Sequence, residues 1–331
     1  MDVGGTFIKS GIMSADGKLL DGSQQTVPIN SDGTKEEICN SLTSAVCQGI
    51  SLARYYGYSP AGVGICMPGP FNYITGISNM VHKFAAIKDL PLTDVIKEAL
   101  DGLDVPVVFG HDVNTQLFGE MCGGNGMGFA NVCLVSLGTG LGFAMAAEGN
   151  VLMTPTGSPL VSIWNLPYNG GILEDYASKR GFYNTWEMVT GVRPSDEMTV
   201  AEMGRLAGEG DATALEVFRR VGSFIGLNIK EKIKEYKIEC LLFGGQISRS
   251  FRFMEEAVRN ELKEIAGLKI NTVSDFSNAA FKGLVEMINK YDADLVAPDQ
   301  DYMNVILQGK ILLSILKIKK LLLLCLKVIA M

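Results

Sequence analysis

The sequence predicts an α/β fold made of two similar halves with a cleft between them. Apolar segments run into glycine turns at 4–6, 138–142 and 244–245. Segments with apolar residues at helical spacing separate these turns. The order strand, glycine turn, strand, strand, helix occurs twice, which is typical of a duplicated α/β architecture. At 331 residues the chain is long enough for two domains of ordinary size.

The first half begins with short strands, because β-forming residues flank the glycine turn and a second turn, ADGK, at 15–18. An acidic first turn and helical spacing of apolar residues then predict a long helix. The predicted elements are strands at 2–5, 7–13 and 18–28, a helix at 34–56, strands at 61–70 and 105–112, and a helix at 114–122.

The second half repeats this logic from residue 131, where an apolar strand meets Gly-Thr-Gly and a second apolar strand follows. The predicted elements are three strands within 131–152, helices at 172–180, 199–208 and 211–236, a strand at 238–248, and helices at 250–265 and 276–291.

Composition excludes several classes of protein. The net charge of −7 is opposite to the basic surface typical of nucleic-acid binders. The seven cysteines form no CxC or CxxC pair, which excludes a zinc knuckle and suits free thiols in a reducing cytoplasm. The segment 311–331 is built mostly of Ile, Leu and Lys, and its longest uncharged runs are six residues, too short to span a bilayer. An amphipathic helix at a membrane surface is one interpretation of this tail. We favour an accidental extension outside the fold.

The three glycine turns favour nucleotide binding. Each turn alone is compatible with an ordinary hairpin or a strand-to-helix turn. A polyphosphate, however, needs backbone N–H donors from several loops, and glycines allow the close approach. Thr6 adds a hydroxyl, and Asp2 is placed to hold a metal ion through water.

Asp112 follows the apolar strand 105–112, where strand ends open into the cleft of α/β folds. Two roles are compatible with it. It could cap the helix that begins near Asn114, or accept a proton from a hydroxyl that attacks a phosphoryl group. The glycine turns favour the second role.

The chain resembles the ROK family of sugar kinases and sugar-responsive repressors, within the actin-like ATPase (ribonuclease H-like) fold group. The motifs that carry the resemblance, in family order, are MDVGGTFIKSG, PGP at 68–70, the strand end Asp112–Asn114, LGTGLGFAMAAEGNVL and FGGQIS. It implies a small domain of residues 1–113 plus about 277–293, a large domain of 114–276, and a segment 294–331 outside the fold. Family members usually have more strand before the acidic residue, so we expect Met1 to stand in mid-strand.

The resemblance also implies ATP and Mg²⁺ in the cleft, with Asp112 as general base towards a sugar hydroxyl. The nucleotide-binding residues implied are Asp2, Gly4, Gly5, Thr6, Lys9, Gly138, Thr139, Gly140, Gly244 and Gly245. Asp2 would lie near the magnesium ion. The nucleoside would lie near 244–245, and the phosphates on the other two turns.

The expected sugar contacts depart from the family pattern. The substrate-binding candidates are His111, Asn114, Asn165, Glu174 and Lys83. Glu174 maps onto the family's sugar-contacting glutamate, whereas Ser162 and Asn165 replace a glutamate and a histidine. The family's zinc cysteines are missing, so we expect no structural zinc.

Other interpretations of the altered residues stay open. His82, Lys83 and His111 could be ordinary residues at the cleft edge, and Trp164 could stack on a sugar or pack in the core.

Two functions follow from these observations. The first is a cytoplasmic ATP-dependent sugar kinase, with a small-molecule sugar as its partner and a homodimer suggested by the resemblance. The alternative is a non-catalytic sugar-binding or regulatory protein. We expect no DNA-binding repressor, because no helix-turn-helix precedes the first hairpin, and no membrane association. The sequence does not identify the sugar or the hydroxyl.

Overall fold

The computed structural model describes residues 1–195 and 197–291, which fold around two β-sheets. The strands are β1 (Asp2–Val3), β2 (Phe7–Ser10), β3 (Gln25–Pro28), β4 (Val63–Cys66), β5 (Phe71–Asn72), β6 (Ile77–Ser78), β7 (Val107–Gly110), β8 (Val132–Leu137), β9 (Leu141–Ala147), β10 (Asn150–Val151), β11 (Pro167–Tyr168), β12 (Gly171–Ile172), β13 (Cys240–Gly244) and β14 (Lys269–Thr272). The α-helices are α1 (Lys35–Tyr55), α2 (Leu92–Glu98), α3 (Asp112–Gly123), α4 (Lys179–Thr190), α5 (Val200–Gly208), α6 (Ala212–Glu235), α7 (Glu255–Leu262) and α8 (Ala279–Asn289). Short 3-10 helices cover Ala85–Ile87, Leu173–Asp175 and Gln246–Phe253.

The two main sheets have the same topology. One has the strand order β3-β2-β1-β4-β7 and the other β10-β9-β8-β13-β14. In each, the first three strands along the chain pair antiparallel, and the last two extend the sheet in parallel. The α/β fold with duplicated halves is therefore confirmed.

Each sheet has its own apolar core. In the first half, α1 and α2 cover one face of the sheet, and Ile8, Ile38 and Ile65 are fully buried there. In the second half, α4 to α7 contribute to a larger core that includes the buried Phe182 and Phe218. The opposite faces are covered by α8 on the first sheet and α3 on the second.

Helices α3 and α8 also pack directly on each other and join the two halves. Glycines allow this close crossing. A Cβ built on Gly283 would lie 2.8 Å from the carbonyl carbon of Thr115, and one on Gly119 would lie 2.8 Å from the backbone nitrogen of Gly283. A larger residue at either position would push the helices apart.

Several element boundaries differ from those predicted. The predicted helix 172–180 is wrong in its bounds, because Ser178 accepts a hydrogen bond from the Gly181 N–H and so caps a helix that begins one residue later. The strand before Asp112 ends at Gly110, and Asp112 is the first residue of α3. The cap position belongs to His111, whose side chain makes no capping hydrogen bond.

Residues Met1–Asn289 form one compact unit. The predicted division into 1–113 with 277–293 and 114–276 stays a prediction. The predicted tail 294–331 lies outside the described residues. Within the part of the chain that the structure describes, no helix has both the length and the apolar character needed to cross a bilayer.

Candidate active site

The predicted site residues lie where parallel strands end. Strands β1, β4 and β7 run parallel, so the turn 4–6, the Pro-Gly-Pro turn 68–70 and Asp112 follow strand ends at one edge of the first sheet. Strands β8 and β13 likewise end in the other two glycine turns. In α/β folds this edge is where ligands bind.

The first glycine turn is held by backbone hydrogen bonds. The Gly4 N–H donates to the Phe7 carbonyl at 2.9 Å, and the Ser31 N–H donates to the Gly5 carbonyl at 3.0 Å. Thr6 is exposed at the tip, and Lys9 follows on β2. The turn is thus a fixed backbone loop that carries an exposed hydroxyl.

The second glycine turn is open on one side. A Cβ built on Gly138 would have no protein atom within 4 Å, and Thr139 is exposed. The other side is packed, since Lys179 donates its N–H to the Gly138 carbonyl at 2.8 Å and Leu141 donates its N–H to Glu174 Oε2 at 3.0 Å. The turn therefore has support behind it and space in front.

The third glycine turn lies against the second. Gly244 pairs with Ser136 in the parallel register of β13 and β8. Gly245 has φ 78° and ψ 161°, a backbone conformation that is essentially restricted to glycine. A Cβ there would lie 2.7 Å from the carbonyl carbon of Leu137, the residue before the second turn.

Asp112 stands in the cleft with its carboxylate open to solvent. Its side chain is 71% exposed. Oδ1 accepts the Val113 N–H at 2.7 Å and lies 2.7 Å from His111 Nδ1, whose ring N–H is not aimed at it. Burial in the cleft raises the pKa of Asp112, but the adjacent His111 ring and the Val113 N–H outweigh burial and leave the pKa below its usual value.

Asp2 lies close enough to Asp112 for the two charges to interact. Burial raises the pKa of Asp2, and so does the negative charge of Asp112, while the N-terminal ammonium and Lys9 oppose the rise. Two neighbouring carboxylates suit a cation between them. No group of three or more metal-ligating side chains occurs among residues 1–195 and 197–291, so a magnesium ion here would take most of its ligands from phosphate and water.

Two predicted sugar ligands flank Asp112. The Asn114 amide donates to the Gly157 carbonyl at 3.1 Å, and its buried Oδ1 accepts no hydrogen bond from the described residues. The His111 ring meets the ring of Tyr73 edge to face at 5.6 Å. Tyr73 in turn donates its hydroxyl to the Met67 carbonyl at 3.0 Å. The buried Oδ1 of Asn114 thus keeps an unused capacity to accept a hydrogen bond, two residues along the chain from the open carboxylate of Asp112.

The other predicted sugar ligands have different neighbours. Glu174 contacts the second glycine turn through the Leu141 N–H, and Arg180 Nη2 lies 3.5 Å from its Oε1. Asn165 is exposed, as is Trp164 at 47%. Lys83 lies beside the first glycine turn, with Nζ 3.6 Å from where a Gly5 Cβ would be.

Sequence reasoning missed Tyr73, Ser31 and Arg180. Tyr73 had a usable signal, since it stands just after the Pro-Gly-Pro turn. Ser31 and Arg180 reach the site only through tertiary contacts, with Gly5 and with Glu174.

The family model described as the ROK family matches residues 1–159 and 167–282. The chain belongs to the ROK family. Its members among the matched proteins include kinases and transcriptional regulators.

The chain is similar in sequence to one relative and in fold to two solved structures. A glucokinase from Halalkalibacterium halodurans is 26% identical over 297 residues, which cover 83% of this chain and 88% of the relative. A glucokinase from Streptomyces griseus, solved with glucose and AMPPNP, has a TM-score of 0.70 at 19% identity, covering 88% of this chain and 98% of the other. A ROK family transcriptional regulator, described as a homologue of the E. coli MLC protein, has a TM-score of 0.75 at 18% identity, covering 87% of this chain and 76% of the other.

Proposed function

We propose that the protein is an ATP-dependent kinase that phosphorylates a hydroxyl of a sugar or sugar derivative. The observation that carries the proposal is the solvent-exposed carboxylate of Asp112 after a strand end of the first sheet, together with glycine turns that follow strand ends in both sheets. The glucokinase of H. halodurans and the S. griseus complex with glucose and AMPPNP support the same reaction class.

The glycine turns would bind the nucleotide. The turns at 4–6 and 138–140 offer backbone N–H groups to the phosphates, and 244–245 lies where the nucleoside would extend. Thr6 and Thr139 add exposed hydroxyls, and Lys9 adds a positive charge. Mg²⁺ would neutralise phosphate charge, and Asp2 would hold it through water.

Asp112 would act as general base. Its pKa lies below the usual aspartate value, so the carboxylate is ionised at neutral pH and free to accept the proton from a sugar hydroxyl whose oxygen attacks the terminal phosphoryl group; its effect would come from its position and not from strong basicity. Asn114 Oδ1 and His111 would position the sugar beside it, with Glu174 and Asn165 further out. Closure of the cleft would exclude water and suppress hydrolysis of ATP.

The experiment is ADP release from Mg·ATP across a panel of neutral, amino and acidic sugars. We expect at least one sugar to raise turnover above background. Asp112→Asn should lower that rate about 10²- to 10⁴-fold and largely retain ATP affinity, because it removes only the proton acceptor. The matched control is Asp104→Asn, which changes an exposed aspartate before the start of β7 and should leave the rate within about twofold of wild type.

A second candidate is a non-catalytic sugar-binding or regulatory protein. The similarity to a transcriptional regulator and the replaced sugar contacts at Ser162 and Asn165 favour it. It predicts that sugars raise the thermal midpoint while none of them increases ADP release. That pair of results would overturn the kinase proposal, as would full activity in Asp112→Asn.

A further inference from the structure

Lys83 stands directly over the first glycine turn. Its Nζ lies 3.6 Å, and its Cδ 3.9 Å, from the position that a Cβ on Gly5 would occupy. The Ser31 hydroxyl lies 3.5 Å from the same point. An ammonium and a hydroxyl therefore border the space that the glycine leaves empty.

The segment that carries Lys83 is tied to the turn. Phe84 donates its N–H to the Ser31 carbonyl at 2.6 Å, and Ser31 donates its own N–H to the Gly5 carbonyl at 3.0 Å. The Phe84 side chain is fully buried in the first core, and its backbone has φ 56°. A bulky residue held in the left-handed region persists only where its surroundings fix it, so the lysine is presented from a rigid support.

The charge of Lys83 is left for a ligand. Within the described ranges, no carboxylate oxygen lies within 4.0 Å of its Nζ. Several other cationic side chains of the described residues are paired with carboxylates, as Arg180 is with Asp175 at 2.6 Å. A free ammonium beside a glycine turn with an exposed tip is a combination that suits phosphate.

We propose that Lys83 binds the terminal phosphoryl group of ATP, rather than the sugar as the sequence predicted. This rests on the proposed kinase function. The sugar must reach Asp112, which follows β7, whereas Lys83 borders the turn after β1. In the transfer, the sugar oxygen bonds to the terminal phosphorus, the bond from that phosphorus to the ADP oxygen breaks, and Asp112 takes the hydroxyl proton. Lys83 stays protonated throughout and offsets the negative charge of the transferred group.

The test compares nucleotides that differ only in their phosphates. Affinities of AMPPNP, ADP and AMP are measured by calorimetry with Mg²⁺ for wild type, Lys83→Met, Lys83→Arg and the control Lys88→Met. Lys88 is an exposed lysine five residues further along the chain. We expect Lys83→Met to weaken the binding of AMPPNP about tenfold or more and to change the affinities for ADP and AMP by less than about twofold, because only the triphosphate has the terminal group. Lys83→Arg should keep most of the affinity, and Lys88→Met all of it.

Two results would overturn the proposal. Equal weakening of AMPPNP and ADP would place Lys83 on an inner phosphate. Unchanged nucleotide affinities with a raised KM for the sugar would make it a sugar ligand. Should no sugar be phosphorylated by the wild type, the kinase function fails, while the contrast between AMPPNP and ADP still decides the role of Lys83. Unchanged thermal midpoints, expected for an exposed side chain, separate these outcomes from misfolding.

Discussion

Gly245→Ala tests how the second and third glycine turns are held together. Gly245 has φ 78° and ψ 161°, and a methyl group there would meet the backbone of Leu137, 2.7 Å from its carbonyl carbon and 2.8 Å from its nitrogen. Both neighbours are backbone atoms in paired strands, so they cannot rotate away as a flexible side chain would. The substitution must therefore displace the ends of β8 and β13 relative to each other.

The loss of unfolding free energy caused by Gly245→Ala has two parts. Placing a residue other than glycine in this backbone region costs about 1–3 kcal/mol. Forcing a methyl group into a packed site costs about 1–3 kcal/mol more. The free energy of unfolding should thus fall by about 2–6 kcal/mol, which lowers the thermal midpoint by about 4–12 °C in a protein of this size. Because Leu137 precedes Gly138, the KM for ATP should rise as well.

The assay is thermal unfolding of the ligand-free protein, with Gly191→Ala as the control. Gly191 also has a positive φ, 75°, but a Cβ there meets no atom within 4 Å. Its substitution should cost only the backbone strain, about 1–2 kcal/mol. Equal losses in Gly245→Ala and Gly191→Ala would refute the contact with Leu137 as the cause.

Gly138→Ala should leave the thermal midpoint within about 1 °C of wild type, because a methyl group there meets no protein atom within 4 Å. It should nevertheless raise the KM for ATP about tenfold by filling the space proposed for phosphate. An unchanged KM would contradict the proposed phosphate position. Asp2→Asn should raise the thermal midpoint of the ligand-free protein at pH 7. The folded state raises the pKa of Asp2 above 3.8, so its stabilising effect is present below that pH and is lost as the pH rises through the raised pKa. Asp112→Asn should instead lower the thermal midpoint at pH 7, because the lowered pKa of Asp112 adds stability above pH 3.8 that disappears as the pH falls. Thermal midpoints measured from pH 3 to pH 7 test both predictions. A midpoint that changes in the same direction in the two variants would contradict the assigned pKa shifts.

The fold was predictable because its signals are local. Apolar strands interrupted by glycine turns recur in the same order in both halves, and the two sheets have that common order. Helices α1, α5 and α6 begin and end within two residues of the predicted bounds, since Thr34, Thr199 and Asp211 cap them with side-chain hydrogen bonds. The four-residue strand β14 and the seven-residue helix α2 were not predicted, because such short segments carry little periodicity.

The composition of the site was predictable, but its internal contacts were not. Lys83 and Gly5 are far apart in sequence, and Ser31 and Phe84 connect them by tertiary hydrogen bonds that no local pattern specifies. Asp112 was expected at a strand end and is the first residue of a helix, because the two elements are separated by a single residue, His111.

The crossing of α3 and α8 connects the fold to the proposed chemistry. Thr115 donates both its N–H and its hydroxyl to the His111 carbonyl, at 2.9 and 2.8 Å, and Gly283 of α8 packs against the Thr115 backbone. The crossing thereby fixes the first turn of α3, which carries Asp112.

The same turn also contacts the second sheet, because a Cβ on Gly142 would lie 3.5 Å from Val113. Asp112 is thus supported from both halves, by β7 through His111 and by this contact with the second sheet, whereas Asp2 belongs to a strand of the first sheet. Burial is the main cause of the raised pKa of Asp2, and the negative charge of Asp112 adds to it, so the two carboxylates repel each other. Asp2 would hold the magnesium ion of the nucleotide through water, and that positive charge would offset the repulsion that Asp2 exerts on Asp112, so the carboxylate of Asp112 would stay available to the sugar hydroxyl.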